Sequence, residues 1–161
     1  MKYGNRPDIA VPLGVALAKR WQQQTARQHQ SNSVYVVPIP LHSDRQKIRG
    51  YNQAERIAAA FCQATRLPLL PNGLQRTKTT QPQHSLNPAE RQKNLEQVFQ
   101  IDQTLRQIKN PAHPRPQKPA ILLIDDIYTT GATAQSAVLT LKRAGFLVVS
   151  IAVLAQAKLA D

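Results

Sequence analysis

The sequence predicts an α/β fold built on an open, mainly parallel sheet. Two observations carry this expectation. Residues 120–124 are a continuous apolar run of strand length and residues 147–154 are a second apolar run, and strands apolar on both faces belong inside a sheet that helices cover. Between them, Ala134, Ala137, Val138 and Leu141 recur at helical spacing over residues 133–144, with Gly145 placed to end that helix. Strand, helix, strand in this order is a βαβ unit of a parallel sheet.

The remaining elements follow along the chain. Over residues 7–28, Ile9, Leu13, Ala16, Leu17 and Trp21 form one helical stripe. Val34, Tyr35, Val36 and Val37 read as a short strand, stopped by Pro38 and Pro40, neither of which can donate to a ladder. A second helix over residues 53–65 carries Ala54, Ile57, Ala58 and Phe61 on one face. Residues 67–76 admit a short strand broken at Pro71, Asn72 and Gly73, and residues 98–101 admit another. Residues 77–93 are polar and basic with little periodicity. The segment 109–119 holds four prolines and no acid, a loop stiffened by fixed φ angles.

At 161 residues the chain fits one domain spanning its whole length. Its apolar share of 42% is ordinary globular composition. Cys62 is the only cysteine, which excludes a disulfide framework and any Cys₄ or Cys₂His₂ zinc module; its apolar neighbours make it a buried, inert thiol. His29, His42, His84 and His113 lack the spacing of a metal site. With no run of 18 apolar residues and no signal-peptide layout, the expectation is no membrane span and a cytoplasmic setting. The formal charge of +12 speaks to partners: phosphate-bearing ligands, nucleic acid or an anionic membrane surface. An amphipathic, membrane-surface role is less economical, because core packing explains the first helix's apolar face.

The chemistry concentrates after the 120–124 strand, in the turn running from Asp125 through Asp126, Ile127, Tyr128, Thr129, Thr130, Gly131 and Ala132 to Thr133. Open α/β sheets bind ligands outside the carboxyl ends of their strands. Asp125 and Asp126 are the only adjacent acids in the chain. They can accept hydrogen bonds from neighbouring hydroxyls, or hold Mg²⁺ directly or through water. The small, hydroxyl-bearing residues beyond them lead into a helix N-terminus, where backbone N–H groups and the helix dipole cradle phosphate. Diol acceptors beside a phosphate cradle describe a binder of a sugar 5-phosphate. A Walker B strand is a poorer fit, because no G-x-x-x-x-G-K-[ST] occurs. A plain helix cap would explain one Thr or Asp, but not two acids and three threonines around Gly131.

Residues 121–133, ILLIDDIYTTGAT, resemble the 5-phosphoribosyl-1-pyrophosphate (PRPP) motif of type I phosphoribosyltransferases. Val37 to Leu41 and Arg49-Gly50-Tyr51-Asn52-Gln53-Ala54 resemble the ComF branch, which is linked to DNA uptake in competence; Arg76, Thr80, Gln83, Leu86, Arg91, Asn94 and Phe99 fall at its spacing. The resemblance covers residues 34–155. It implies a phosphoribosyltransferase-like fold with a small hood and flap, the first helix contributing to the hood. Two departures stand out: the Cys-rich zinc module often found at the N-terminus of such proteins is absent here, and the 109–119 loop is longer than usual.

The resemblance further implies that Asp125 and Asp126 hold the ribose hydroxyls and that Thr129, Thr130, Gly131, Ala132 and Thr133 hold the 5-phosphate. Magnesium would enter through pyrophosphate and the ribose hydroxyls, with no direct protein ligand. Residues 42–94 hold nine Lys/Arg against three acids. From these, Arg45, Arg49, Arg76, Lys78 and Arg91, with Gly50 and Asn52, are pyrophosphate or flap candidates, residues 77–93 forming the flap. The implied activity is phosphoribosyl transfer to or from a nitrogenous base, in competence or nucleotide salvage; related transferases often form homodimers, and the sequence does not fix the oligomeric state. The alternative is a basic accessory protein that binds single-stranded DNA and keeps PRPP recognition as a sensor or relic. An aromatic share of 5% gives such a protein few stacking platforms.

Overall fold

The computed structural model describes residues 7–25, 34–41, 50–77, 98–108, 119–128 and 130–156. A 3₁₀ turn, Pro7–Ile9, leads into helix α1, Ala10–Thr25. Strand β1 (Val34–Pro38) and helix α2 (Gln53–Thr65) follow. Next come β2 (Leu74–Arg76), β3 (Phe99–Ile101) and the short helix α3 (Gln103–Ile108). The chain then forms β4 (Ala120–Tyr128), α4 (Ala132–Arg143) and β5 (Leu147–Gln156).

The central sheet is parallel, in the order β1-β4-β5. On the other side of β1, Leu69 forms a parallel bridge to Val36, closed by Val36 N–H to Pro68 O (2.9 Å) and Leu70 N–H to Val36 O (2.8 Å). The chain therefore leaves β1 in one direction through α2 and later returns on the other side as β4. Side chains alternate across the sheet. Val34, Val36, Ala120, Leu122 and Ile124 face a cluster with α1 and α2. Val37, Ile121 and Leu123 face α4, α3 and the β2/β3 pair. The result is three layers, helix–sheet–helix.

Several elements depart from the sequence expectation. Pro38 closes β1 rather than preceding its end, paired with Ile124, while Ile39 N–H still donates to Ile124 O at 2.8 Å. In a parallel strand alternate residues point their backbone groups to the same side, so the donor Pro38 lacks falls toward residues 66–70, where that ladder has ended. The stripe of α1 is also displaced. Ala10, Gly14 and Ala18 are buried, Leu17 and Trp21 pack beside them, and Ala16 is exposed. A Cβ on Gly14 would stand 2.6 Å from Ile57 O and 2.7 Å from Ala60 Cβ, so α1 and α2 meet backbone to backbone there. Trp21 covers Phe61 edge-on, with ring centroids 6.3 Å apart. This contact makes α1 part of a covering layer along α2. Residues 26–28 of the expected first helix lie outside the described residues.

Helix α2 follows the expected face, with Ala54, Ile57, Ala58 and Phe61 buried. Cys62 is a buried free thiol that burial pushes up to about 12. Helix α4 begins one residue before the expected start and ends in a Schellman turn: Phe146 N–H donates to Leu141 O (3.0 Å) and Gly145 N–H to Lys142 O (2.9 Å), with Gly145 at φ 85. Among the described residues no helix is long and apolar enough to cross a membrane.

Candidate functional site

The strand segments that follow β1 lie on its two sides, Leu69 on one and β4 on the other, so the switch point of the sheet falls at the carboxyl ends of β1 and β4, the place where open α/β sheets bind ligands in a crevice. The residues at this end of β4 are Asp125, Asp126, Ile127 and Tyr128. The sequence places them in a turn; the structure keeps them in the strand. The reason is β5, which runs to Gln156 and supplies partners for Asp125 (Val153), Ile127 (Ala155) and Tyr128 (Gln156). The acids are thus mounted on a paired strand, a stiffer support than a loop.

Asp125 and Asp126 are half-buried. The Asp126 N–H donates to Asp125 Oδ1 at 2.9 Å. Burial pushes the Asp125 carboxyl up to about 7, the negative charge of Asp126 adds to the rise, and the Arg76 guanidinium opposes it. A carboxyl with this balance gains from hydroxyl donors or positive charge arriving in the crevice.

Beyond Tyr128 the chain turns into α4. Gly131 is the N-cap residue, at φ 77, and has no side chain with which to cap the helix. Its carbonyl accepts from Gln135 N–H at 2.8 Å, and Thr130 Oγ1 accepts weakly from Ala132 N–H at 3.4 Å. The first-turn amides, those of Thr133 and Ala134 among them, stand at a helix N-terminus, which attracts an anion. Thr130, Gly131, Ala132 and Thr133 sit together here as expected from the sequence; Thr129 lies outside the described residues. Tyr128 was not singled out as a site residue. Its ring nevertheless fills the space a Cβ on Gly131 would take, the phenol oxygen and Cζ being the nearest atoms.

Asn52 joins the start of α2 to the residue that follows β1. Its side chain accepts from Ala54 N–H (3.1 Å), capping α2, and its Nδ2 donates to Ile39 O (3.2 Å) just past β1. Gly50 takes φ 74 with open space around it, and Arg56 lies over the Tyr51 ring at 4.6 Å.

Arg76 ends β2, opposite Phe99 of β3, with its guanidinium over that ring at 5.5 Å. The antiparallel β2/β3 pair, extended by Thr77 N–H to Val98 O (2.9 Å), ties the two ends of the 78–97 segment together. Asp102 steadies this base by accepting from Gln75, from the Thr104 hydroxyl (2.8 Å) and from Thr104 N–H. Those bonds, the Thr104 hydroxyl first, hold its carboxyl below the usual range. Helix α3, which Asp102 begins, was not anticipated; an Asp two residues before a Thr was its only sequence signal. Arg45, Arg49, Lys78 and Arg91, with the rest of the expected flap and most of the 109–119 loop, lie outside the described residues.

No family model matches the chain. It is 33% identical over 110 residues to competence protein F of Haemophilus influenzae, covering 68% of this chain and 44% of that protein. It is 24% identical over 155 residues to the DNA utilization protein YhgH of Salmonella typhimurium, covering 94% of this chain and 62% of that one. The chain therefore spans about half the length of these relatives. Among solved structures, a hypoxanthine phosphoribosyl transferase of Trypanosoma cruzi overlays with a TM-score of 0.49 at 11% identity, over 96% of this chain and 76% of that one. A homologue of these competence and DNA-utilization proteins, the chain carries its two strand-borne acids and its glycine-started helix on an open, parallel α/β sheet.

Proposed function

We propose that this crevice binds PRPP, with the amides and hydroxyls of residues 130–133 around the 5-phosphate and the Asp125 and Asp126 carboxylates on the ribose hydroxyls. One observation carries the reading: two half-buried acids on a paired strand end stand shortly before a left-handed glycine that begins a helix as its N-cap. A sugar 5-phosphate has diol donors at one end and an anion at the other, which is the complement of that surface.

The reaction this supports is phosphoribosyl transfer. The bond from ribose C1 to pyrophosphate breaks, its electron pair leaving with pyrophosphate, while a base nitrogen forms a new bond to C1 and loses its proton to water; the reverse reaction is equally balanced. The residues work by position and charge. The carboxylates fix the ribose, the α4 amides fix its phosphate, and Arg76 brings positive charge to the same crevice at the base of the 78–97 segment.

The donor set also bears on Mg²⁺. Among the described residues no three His, Cys, Asp or Glu side chains gather as a cage, whereas burial and the neighbouring Asp126 charge raise the Asp125 carboxyl. The residues fit a cation that arrives on the ligand's own oxygens, the pair accepting from the hydroxyls beside it. Bound in that way, Mg²⁺ supplies Lewis-acid stabilisation of the departing pyrophosphate.

Isothermal titration with PRPP and Mg²⁺, followed by a screen of nitrogenous bases for pyrophosphate release, tests the proposal. Heat of binding in the wild type and its loss in Asp125→Asn/Asp126→Asn support it. A folded wild type that gives no heat at millimolar PRPP refutes it.

The charge of +12 and the relatives' names favour a second reading beside the first, contact with single-stranded DNA. Such contact weakens with salt at a log–log slope near about −0.7 per neutralised phosphate. Binding that ignores salt would reject it. The Asp-to-Asn pair separates the two readings, since PRPP binding falls while DNA affinity holds or rises.

A further inference from the structure

We infer that Tyr128 is a positioning residue for the phosphate loop: its ring braces Gly131 and holds the start of α4 at a fixed distance from the end of β4. The inference rests on the PRPP reading above and adds to it a residue that sequence reasoning treats as packing.

The geometry is mutual. Tyr128 is the last residue of β4, its backbone in register with Gln156 of β5. Its side chain packs against the core cluster on the α4 side of the sheet, so the ring is fixed at both ends. Across the turn, Gly131 presents its bare Cα to that ring. A Cβ there would overlap the phenol oxygen, stand 2.6 Å from Cζ and lie 3.2 Å from Cε2. Gly131 is also the N-cap of α4, at φ 77. One contact thus joins a rigid strand end to a helix start while bypassing the backbone between them.

This bears on phosphate binding because the ties seen among the loop's described residues are short-range. Gln135 N–H to Gly131 O is the first bond of the helix, and the Thr130 hydroxyl reaches Ala132 N–H only at 3.4 Å. Gly131, the N-cap residue, has no side chain with which to cap the first turn. A cradle of amides works only if their directions are set before the anion arrives. The Tyr128 ring sets them by occupying the volume into which Gly131 would otherwise settle. Glycine is then required twice, for its left-handed φ and for the absence of a Cβ against the ring.

The test is PRPP affinity, with Mg²⁺, in Tyr128→Phe, Tyr128→Leu, Gly131→Ala and the double variant Tyr128→Leu/Gly131→Ala, each checked for native circular dichroism. Tyr128→Phe keeps the brace and is expected to bind as the wild type does. Tyr128→Leu keeps apolar volume but not reach, and is expected to bind at least about tenfold more weakly, the scale of a misplaced binding group. Gly131→Ala is expected to cost less in the Tyr128→Leu background than in the wild type, since its clash is gone; non-additivity of this sign marks direct coupling. If Tyr128→Leu binds like the wild type, if Phe and Leu lose equally, or if the two positions act additively, the brace is overturned and the PRPP reading stands. A wild type that takes up no PRPP overturns both.

Discussion

The backbone N–H of Asp126 donates to the side chain of Asp125 across 2.9 Å, and the carboxyl that accepts it is nonetheless pushed up to about 7. One N–H bond does not offset burial and a second acid next door. The consequence is a pH dependence with a fixed sign. Between the ordinary value of 3.8 and about 7 the folded protein keeps a proton that the unfolded chain has lost. Stability therefore falls as pH rises through that window and levels off above it. Urea unfolding across it is expected to show this slope in the wild type and its loss in Asp125→Asn. A slope unchanged in the variant would contradict the assignment.

Ligand affinity is expected to run the other way. A carboxyl that accepts from ribose hydroxyls does so best when ionised, so PRPP affinity rises through pH 7. The ligand's phosphate titrates too, and Asp125→Asn reports that background. The difference between the two profiles is the contribution of Asp125; profiles that superimpose would remove it.

Gly14 lies under α2 with no room for a side chain. Gly14→Ala places its Cβ 2.6 Å from Ile57 O. Alanine ordinarily favours a helix interior, yet here overpacking is expected to cost about 1–3 kcal/mol of stability. PRPP affinity should be unchanged, because the α1–α2 contact is remote from the strand ends. A more stable variant would show that the two helices separate freely.

Arg66 ends α2 in the left-handed region, φ 60 and ψ 20, where its N–H donates to Cys62 O at 2.7 Å. Glycine takes that conformation without the Cβ clash. Arg66→Gly is expected to raise stability by about 1 kcal/mol in chemical denaturation. A loss of similar size would mean that the side chain has a role of its own.

Asn52 uses its carbonyl to cap α2 and its amide to hold Ile39 O. Asn52→Ala loses both and is expected to cost about 1 kcal/mol. Asn52→Asp keeps the cap acceptor and loses the donor, so it should recover most of the stability while loosening the segment after β1. Equal losses in the two variants would show that the Ile39 bond, not the cap, dominates.

The parts of the fold visible in the sequence are those with long, uninterrupted patterns. The apolar runs of β4 and β5 and the face of α2 need no partner to be recognised, since each carries its own period. What escaped was set by a partner. Asp125 to Tyr128 look like a turn because two acids break an apolar run, yet they stay in the strand because β5 extends to meet them. The α1 stripe was misplaced because its buried positions are small: Ala10, Gly14 and Ala18 are chosen for close approach to α2, not for hydrophobicity. Helix α3 has six residues and one buried side chain, Leu105, too little to leave a period. In the site, the acids and the Thr/Gly loop were legible from residue type alone. The role of Tyr128 was not, because it depends on the ring crossing to a glycine three residues away.

The most direct measurement is the backbone amide spectrum of the labelled protein during titration with PRPP and Mg²⁺. The amides of Gly131, Ala132 and Thr133 are expected to shift together and saturably, and inorganic phosphate at higher concentration should move the same set in part. Saturable shifts elsewhere, with these three amides still, would contradict the assignment of the phosphate to the start of α4.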